Sequence, residues 1–239
     1  MNDIKTIYED DNLLILDKPS GITVNNSDTT KNETTVQDFI EEKLHIQSLK
    51  PADVQDSDFY GRSGIVHRID KETSGILVVA KNKESFENLQ LQFKERKVGK
   101  AYLALVHGHV DSLKGEIIVP IGRLPWNRKR FGVLAGGKDA ETHYRVLEKF
   151  QKPFTLLELT PKTGRTHQIR VHLKYFNHPV FGDELYAGRK TSRQDRKILN
   201  RFFLHAEKIS FFHPKTGERV EFESKLPSEL EKVLDTFKG

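Results

Sequence analysis

The strongest constraint on the fold is a series of short apolar runs of strand type, interrupted by only a few segments with helical periodicity. These runs predict nine strands, over residues 4–8, 13–16, 76–80, 101–107, 117–120, 141–150, 154–160, 209–212 and 219–222. Helices are expected over residues 35–44, 83–96 and 167–176 and after Pro227. Strand runs with isolated helices are typical of α+β folds, here with a mixed, mainly antiparallel sheet.

Local signals refine this outline at the N-terminal end. Thr34 and Gln37 have the spacing of a capping box and predict the start of the first helix. Residues 45–60 are polar and acidic and predict an irregular, exposed loop. Because no repeat or flexible linker divides the chain, one domain is expected over residues 1–239.

The chain has 239 residues and no cysteine. The absence of cysteine excludes disulfide scaffolds, thiolate zinc sites, iron–sulfur clusters and cysteine nucleophiles. No apolar run approaches the roughly 20 residues of a membrane span, and the N-terminus lacks the layout of a secretory signal. A cytoplasmic protein without a membrane partner is expected.

Charge is distributed unevenly along the chain. Residues 1–60 contain 5 Lys and Arg against 13 Asp and Glu, whereas residues 61–239 contain 34 against 21. A basic excess of this size indicates a polyanionic partner, of which nucleic acid is the commonest. A basic surface that is merely solvated is the alternative.

The densest group of polar side chains falls in residues 61–75, directly before an apolar strand. Here Asp70 has His67, Arg68 and Lys71 as neighbours in sequence, and nearby cations keep a carboxylate ionised. An ionised and oriented carboxylate acts as a nucleophile or a base. The alternative for an aspartate in such a loop is a turn or a helix cap.

Four segments together resemble the RluA-type RNA pseudouridine synthases. Residues 67–75, HRIDKETSG, resemble that family's H-R-L-D-x-x-T-S-G loop, with Ile69 in place of leucine. Residues 100–108 resemble its K-x-Y-x-A-x-V-x-G strand, and residues 163–172 resemble its T-G-R-x-H-Q-I-R-x-H segment. Residues 178–183, HPVFGD, continue in the family's order.

The resemblance implies a pseudouridine synthase-like fold with flanking helices and a central active-site cleft. It implies that specific uridines of ribosomal or transfer RNA are isomerised without metal or organic cofactor. Asp70 would be the covalent nucleophile, Arg170 would pair with it and orient it, and Tyr102 would stack on the uracil and assist proton transfer. Arg68 would occupy the place of the flipped base, a role that suits a long planar cation.

The residues themselves leave alternatives for three of these positions. Arg68 is equally suited to a salt bridge that holds the loop. Tyr102 alternates with apolar neighbours on a strand of which one face must be core, so it can be a packed tyrosine. Arg170 is expensive to bury unpaired, which calls for a carboxylate partner, with Asp70 as the obvious candidate.

Basic residues both inside and outside the four motifs predict contacts with RNA. Residues 117–138 contain no acidic residue and combine cations with Trp126 and Phe131. The side chains expected at RNA are those of His67, Arg68, Arg165, His167, Arg128, Lys129 and Arg130. A second basic stretch, residues 189–201, predicts a helix or a loop. About half of its cations are expected to be solvated surface residues that do not contact RNA.

Two other functions remain open from the sequence. A glycosidase or base-excising glycosylase also uses carboxylates at a glycosidic bond, with Glu72 as the nearby second acid. An RNA-binding protein with a vestigial site is the non-enzymatic alternative. The histidines have no compact ligand spacing, so no metal site is expected. No separate N-terminal RNA-binding module is expected, and the sequence gives no indication of oligomeric state.

Overall fold

A computed structural model describes residues 4–27, 30, 33–46, 58–127 and 130–238, which contain eleven strands and six helices. The strands are β1 (Lys5–Glu9), β2 (Leu13–Lys18), β3 (Ser74–Ala80), β4 (Gly99–His107), β5 (Lys114–Ile118), β6 (Ile121–Arg123), β7 (Phe131–Val133), β8 (Glu141–Lys149), β9 (Phe154–Pro161), β10 (Leu204–Phe212) and β11 (Arg219–Glu223). The helices are α1 (Val36–Leu44), α2 (Asp58–Gly61), α3 (Lys83–Lys94), α4 (Gln168–Tyr175), α5 (Arg189–Asp195) and α6 (Ser228–Lys238). In these ranges no helix has both the length and the apolar character needed to cross a bilayer.

The chain divides into two compact units. The first comprises Met1–Gly99 and Lys208–Lys225, and the second comprises Lys100–Glu207 and Leu226–Gly239. Strand pairs within each unit are antiparallel wherever the structure describes their register. The predicted α+β class with a mainly antiparallel sheet is confirmed, whereas the single domain over residues 1–239 stays a prediction.

The first unit contains the antiparallel order β1-β2-β3 and the pair of β11 with the second half of β10. Residues 13–16 of β2 and all of β3 are buried, so these strands carry apolar side chains on both faces. Helix α3 contributes Phe86 and Leu89 to the buried residues of this unit. Both strands and this helix were predicted from the sequence.

The start of α1 corrects the predicted capping box by one residue. The backbone N–H of Asp38 donates to the Thr35 hydroxyl at 3.2 Å, and the backbone N–H of Thr35 donates to the Asp38 carboxylate at 2.9 Å. Thr34 and Gln37 do not form the box, because the carboxylate that completes it belongs to Asp38. The loop expected over 45–60 is also wrong at its end, where α2 begins at Asp58, and its residues 47–57 lie outside the described ranges.

The second unit contains a sheet in the order β4-β9-β8-β5 and the separate hairpin β6-β7. The strand expected over 117–120 is wrong in its bounds. β5 ends at Ile118 and β6 begins at Ile121, on either side of Pro120, which has no N–H for a ladder. The basic stretch that was expected as a helix or loop contains helix α5.

Both faces of β4 are packed against buried residues, whereas the sequence pattern required a core contact on only one face. Ala104 and Val106 belong to a buried cluster with α4, to which Tyr102 adds a partly buried ring. Leu105 belongs to a second cluster, which includes the buried side of α6. The half of β4 beyond Tyr102 is therefore rigid structure of the second unit.

Candidate active site

Asp70 lies in a turn of the first unit, shortly before β3. The backbone N–H of Thr73 donates to the carbonyl of Asp70 at 3.0 Å and closes a four-residue turn. Thr73 is buried, whereas Asp70 is partly exposed. The turn therefore fixes the backbone beside the carboxylate and leaves Asp70 in reach of solvent.

Gly64 anchors the start of the loop that leads to Asp70. Its carbonyl accepts a hydrogen bond from Ala80 N–H at 2.8 Å, and Ile65 forms a β-bridge with Val79. Gly64 has φ +75°, and a Cβ there would collide with the carbonyl of Ala80. Glycine is required at this position, because other residues rarely adopt such a φ and because a side chain would meet the Ala80 carbonyl.

A buried lysine supports the other side of the Asp70 turn. Lys18 has no exposed surface, and its Nζ donates to the carbonyls of Pro19, Ile22 and Lys71 at 2.8, 2.9 and 3.0 Å. Three charge-assisted hydrogen bonds satisfy the ammonium group inside the protein. Because Lys71 follows Asp70 directly, the ammonium group ties the turn to the end of β2.

The segment that follows Lys18 adds two further bonds to the same turn. The hydroxyl of Ser20 donates to the carbonyl of Glu72 at 2.9 Å, and the backbone N–H of Gly21 donates to the carbonyl of Lys71 at 2.9 Å. Sequence reasoning did not single out residues 18–21. The available signal was a lysine followed by turn residues.

His67 and Arg68 differ in how the protein uses them. The Nε2 of His67 accepts a hydrogen bond from Val78 N–H at 3.0 Å, and its ring stacks on Phe93 with centroids 5.1 Å apart. Arg68 is exposed and forms no ion pair with any residue that the structure describes. The salt bridge considered for Arg68 is therefore not formed within the described ranges, and RNA contact of either residue stays a prediction.

In the second unit, Gln168 holds the loop that precedes α4. Its Oε1 accepts from the Thr163 hydroxyl at 2.6 Å and from Arg165 N–H at 3.0 Å. Its Nε2 donates to the Glu141 carbonyl at 2.9 Å and to the Thr142 hydroxyl at 3.0 Å. One buried amide thus fixes the loop over residues 163–166 against the start of β8.

His172 extends this network and is fully buried. Its Nδ1 lies 2.9 Å from the Thr142 hydroxyl, and its Nε2 lies 3.2 Å from the Val119 carbonyl, to which it donates. Burial lowers the pKa of His172, and this favours the neutral ring that both partners fit. His172 therefore serves as a buried hydrogen-bonding residue of the second unit.

Arg165 and His167 also have partners inside the second unit. The Nε of Arg165 donates to the Asp139 carbonyl at 2.9 Å. The Nδ1 of His167 lies 2.9 Å from the Tyr186 hydroxyl, which accepts a hydrogen bond from Phe131 N–H at 3.1 Å. Tyr186 thereby joins the start of α4 to β7. The side chains of Arg165 and His167 remain partly exposed, as contact with RNA would require.

The hairpin β6-β7 displays the basic stretch that was expected at RNA. Trp126 is 77% exposed near its tip, Arg123 is exposed and Arg130 is partly buried. Arg128 and Lys129 lie outside the described residues. Exposed cations beside an exposed aromatic ring are compatible with RNA contact, which stays a prediction here.

Arg170 forms a two-pronged ion pair with Asp183. Its Nε lies 2.7 Å from Oδ2 and its Nη2 lies 2.9 Å from Oδ1, and both residues are buried. The guanidinium also lies over the ring of Phe202, 4.3 Å from its centroid. A buried arginine requires a carboxylate, and Asp183 is a partner that sequence reasoning missed. Pairing of Arg170 with Asp70 stays a prediction.

Tyr102 lies on β4 opposite Leu159, partly buried against the cluster that contains α4. Lys100 lies two residues earlier, so its side chain leaves the same face of the strand. Burial lowers the pKa of Lys100 to about 8. This lysine was not singled out from the sequence, although a cation two residues before Tyr102 was visible there.

One group of residues in the described ranges has metal-ligating atoms close together. It consists of Glu116, Glu141 and His143 on the paired strands β5 and β8. The Nε2 of His143 lies 2.7 Å from Glu141 and 3.5 Å from Glu116, so hydrogen bonding and charge already account for the cluster. The expectation of no metal site stays a prediction.

The expected site residues are distributed over both units. Asp70, Arg68 and His67 belong to the first unit. The second unit contains the remaining described ones, Tyr102, Arg130, Arg165, His167 and Arg170.

Comparison with known proteins identifies the family. Residues 12–175 match the family model described as RNA pseudouridylate synthase. An uncharacterized RNA pseudouridine synthase of Bacillus subtilis is 40% identical over 99% of this chain and 73% of its own length. The ribosomal large subunit pseudouridine synthase D of Nitrosomonas europaea is 40% identical over 99% of this chain and 66% of its own length.

Solved structures agree with this match. Human RNA pseudouridylate synthase domain containing 1 is 28% identical and superposes with a TM-score of 0.71, over 99% of this chain and 95% of the human one. The chain belongs to the RNA pseudouridine synthase family, whose RluA-type members it resembles in all four motifs, and is an enzyme that isomerises uridine in RNA.

Proposed function

We propose that this protein converts specific uridines of large-subunit ribosomal RNA to pseudouridine, with Asp70 as the covalent nucleophile. The turn around Asp70 carries the proposal, because Lys18, Ser20 and Gly21 hold its backbone while Asp70 remains partly exposed. A turn held in this way positions Asp70 before the substrate arrives. Relatives named ribosomal large subunit pseudouridine synthase favour ribosomal RNA over transfer RNA as the substrate to test first.

The reaction is an isomerisation with no change in oxidation state. The bond between ribose C1′ and uracil N1 breaks, the ring turns, and a bond forms between C1′ and C5. The hydrogen on C5 leaves as a proton, and N1 takes up a proton. Asp70 attacks the nucleotide and is released again, and the atom that it attacks is left open.

Other residues of the chain prepare this step. Arg68 has no ion-pair partner among the described residues, so its guanidinium is available to occupy the place of the flipped base. Tyr102 supports the uracil by stacking and assists the proton transfer at C5. Arg170, held by Asp183 in a fixed plane, orients the Asp70 carboxylate.

The test is tritium release from uridine labelled at C5 in transcripts of large-subunit ribosomal RNA. Wild-type protein should release the label without freeing uracil, in the presence of a chelator. Asp70→Asn should release none, because an amide has neither the charge nor the nucleophilicity of a carboxylate. RNA binding should persist, since it depends mainly on phosphate contacts.

Asp11→Asn is the matched control, because Asp11 is an exposed aspartate of the same unit. It should release tritium at the wild-type rate. Label released by Asp70→Asn at that rate would contradict the role of Asp70, and free uracil would indicate a glycosylase. Release from transfer RNA alone would contradict the proposed substrate.

A further inference from the structure

A strongly basic groove lies along α5 in the second unit. It has a volume of about 580 Å³ and is lined by Arg189, Lys190, Arg193, Gln194 and Lys197. All five residues are exposed. We call this feature the α5 groove.

The structure separates these four cations from two others in the same stretch. Arg196 donates from Nε to the Gly182 carbonyl at 2.7 Å. Arg201 is buried, and its Nη1 lies 2.9 Å from Glu229. These two arginines therefore stabilise the fold.

The four cations of the α5 groove have no acidic partner within 4 Å among the residues that the structure describes. The nearest acids in sequence are engaged elsewhere. Asp195 is buried and accepts from Gly182 N–H at 2.9 Å, with His107 Nε2 also at 2.9 Å. Glu184 lies 3.8 Å from Arg196.

Unpaired like charges on consecutive turns repel each other. Arg189 and Arg193 are four residues apart, about 6 Å along a helix axis, and Lys197 lies in the turn directly after α5. This interval is comparable to the spacing of consecutive phosphates in an RNA strand. A polyanion laid along the groove would remove the repulsion and release the counterions that otherwise screen it.

We propose that the α5 groove binds the phosphate backbone of the substrate RNA, through residues that the isomerisation itself does not use. The inference rests on the proposed function for its choice of partner. Arginine presents a planar fork that matches phosphate oxygens, and two of the four cations are arginines. The lining contains no apolar residue that would insert into a lipid surface, which favours RNA over an anionic membrane.

The test compares two variants with equal loss of charge. The groove variant replaces Arg189, Lys190, Arg193 and Lys197 with Gln. The control variant replaces four scattered exposed lysines of the same unit with Gln: Lys114, Lys174, Lys232 and Lys238. Both are made in the Asp70→Asn background, so that binding is measured without turnover, and both should keep the wild-type circular dichroism spectrum.

Filter binding of a large-subunit ribosomal RNA transcript is measured between 50 and 300 mM salt. The groove variant should lose about three units of the slope of log K against log salt, since each lost phosphate contact removes about 0.7–0.9. The control variant should keep nearly the whole slope. Equal slopes in the two variants would overturn the proposal.

Two further measurements separate this proposal from the proposed function and from binding to a membrane. With Asp70 intact, the groove variant should show a raised KM for the RNA, whereas the control variant should keep the wild-type KM. A wild-type protein that releases no tritium would contradict the proposed function, yet the binding comparison would still decide on the groove. Retained RNA binding with lost binding to phosphatidylglycerol vesicles would overturn RNA as the partner.

Discussion

The ammonium group of Lys18 donates a hydrogen bond to the carbonyl of Lys71, the residue directly after Asp70. Lys18 has no exposed surface, and its ammonium group also donates to the carbonyls of Pro19 and Ile22. Through this hydrogen bond Lys18 holds the backbone beside Asp70, and we assign it as a positioning residue.

Replacing Lys18 with Met should lower both stability and activity. Three partly buried carbonyls lose their donor, which should reduce the free energy of unfolding by about 3 kcal/mol. Tritium release should fall because the turn around Asp70 loses its support, while RNA binding persists. Urea denaturation followed by circular dichroism measures the first effect, and the C5 label measures the second.

Lys5→Met is the control for this change, because Lys5 is an exposed lysine on the neighbouring strand β1. Its effect on stability should stay within about 0.5 kcal/mol. If Lys18→Met were as stable and as active as Lys5→Met, the supporting role of Lys18 would be wrong.

Disruption of the Arg170–Asp183 pair should be strongly destabilising. Asp183→Asn removes the charge that compensates a buried guanidinium and should cost about 3–5 kcal/mol in urea denaturation. Arg170→Ala should lose stability and activity together. Arg170→Lys keeps the charge but not the two-pronged geometry, so partial activity is expected.

The exposed pair of Arg145 with Glu158 provides the comparison, since Arg145→Ala should cost at most about 1 kcal/mol. Full tritium release by Arg170→Ala would exclude an orienting role for Arg170. A loss of stability in Asp183→Asn no larger than that of Arg145→Ala would contradict the buried pair.

Lys100 should make stability depend on pH in the alkaline range. Its folded pKa of about 8 lies below the ordinary value of 10.5, so between these values the unfolded chain binds more protons than the folded chain. The contribution of Lys100 to the free energy of unfolding should therefore rise with pH, by about 2 kcal/mol between pH 8 and 10. Lys100→Met should lack this rise in urea titrations. Lys94→Met, at an exposed position of α3, should keep it, and equal pH slopes in the two variants would contradict the prediction.

Arg68→Ala should separate activity from stability. Arg68 is exposed and has no ion pair among the described residues, so the free energy of unfolding should change by less than about 0.5 kcal/mol. Tritium release should drop at least about tenfold if the guanidinium fills the vacated base position. Arg62→Ala, which removes another exposed arginine from the same stretch of chain, should leave turnover unchanged. Equal rates in both variants would remove Arg68 from the mechanism.

The burial of each strand determines whether it could be predicted from the sequence. β2 and β3 are buried along most of their length, and β4, β8 and β9 carry apolar side chains toward the core, so their patterns are visible in the sequence. The first three residues of β5 are polar or glycine, and the hairpin β6-β7 has only three residues in each strand. Such short or solvated strands are held by backbone hydrogen bonds, so their sequences show no regular alternation of apolar residues.

The residues of the candidate site also divide into those that the sequence could predict and those that it could not. The motifs point to Asp70, Tyr102 and Arg170, because motif residues are specified by type and local spacing. Their supports were not predicted, since Lys18 lies 53 residues before the carbonyl of Lys71 and Asp183 lies 13 residues after Arg170. The need of a buried arginine for a carboxylate is general, but the choice among carboxylates depends on the folded path of the chain.

The position of Trp126 makes the hairpin β6-β7 an intrinsic optical reporter. It is the single tryptophan of the chain, is 77% exposed and belongs to none of the three core clusters described in the second unit. Its fluorescence is therefore expected to respond to what touches the hairpin tip. A nucleic acid base stacked on the indole would quench the emission, so the native protein can signal contact at this tip without an added dye.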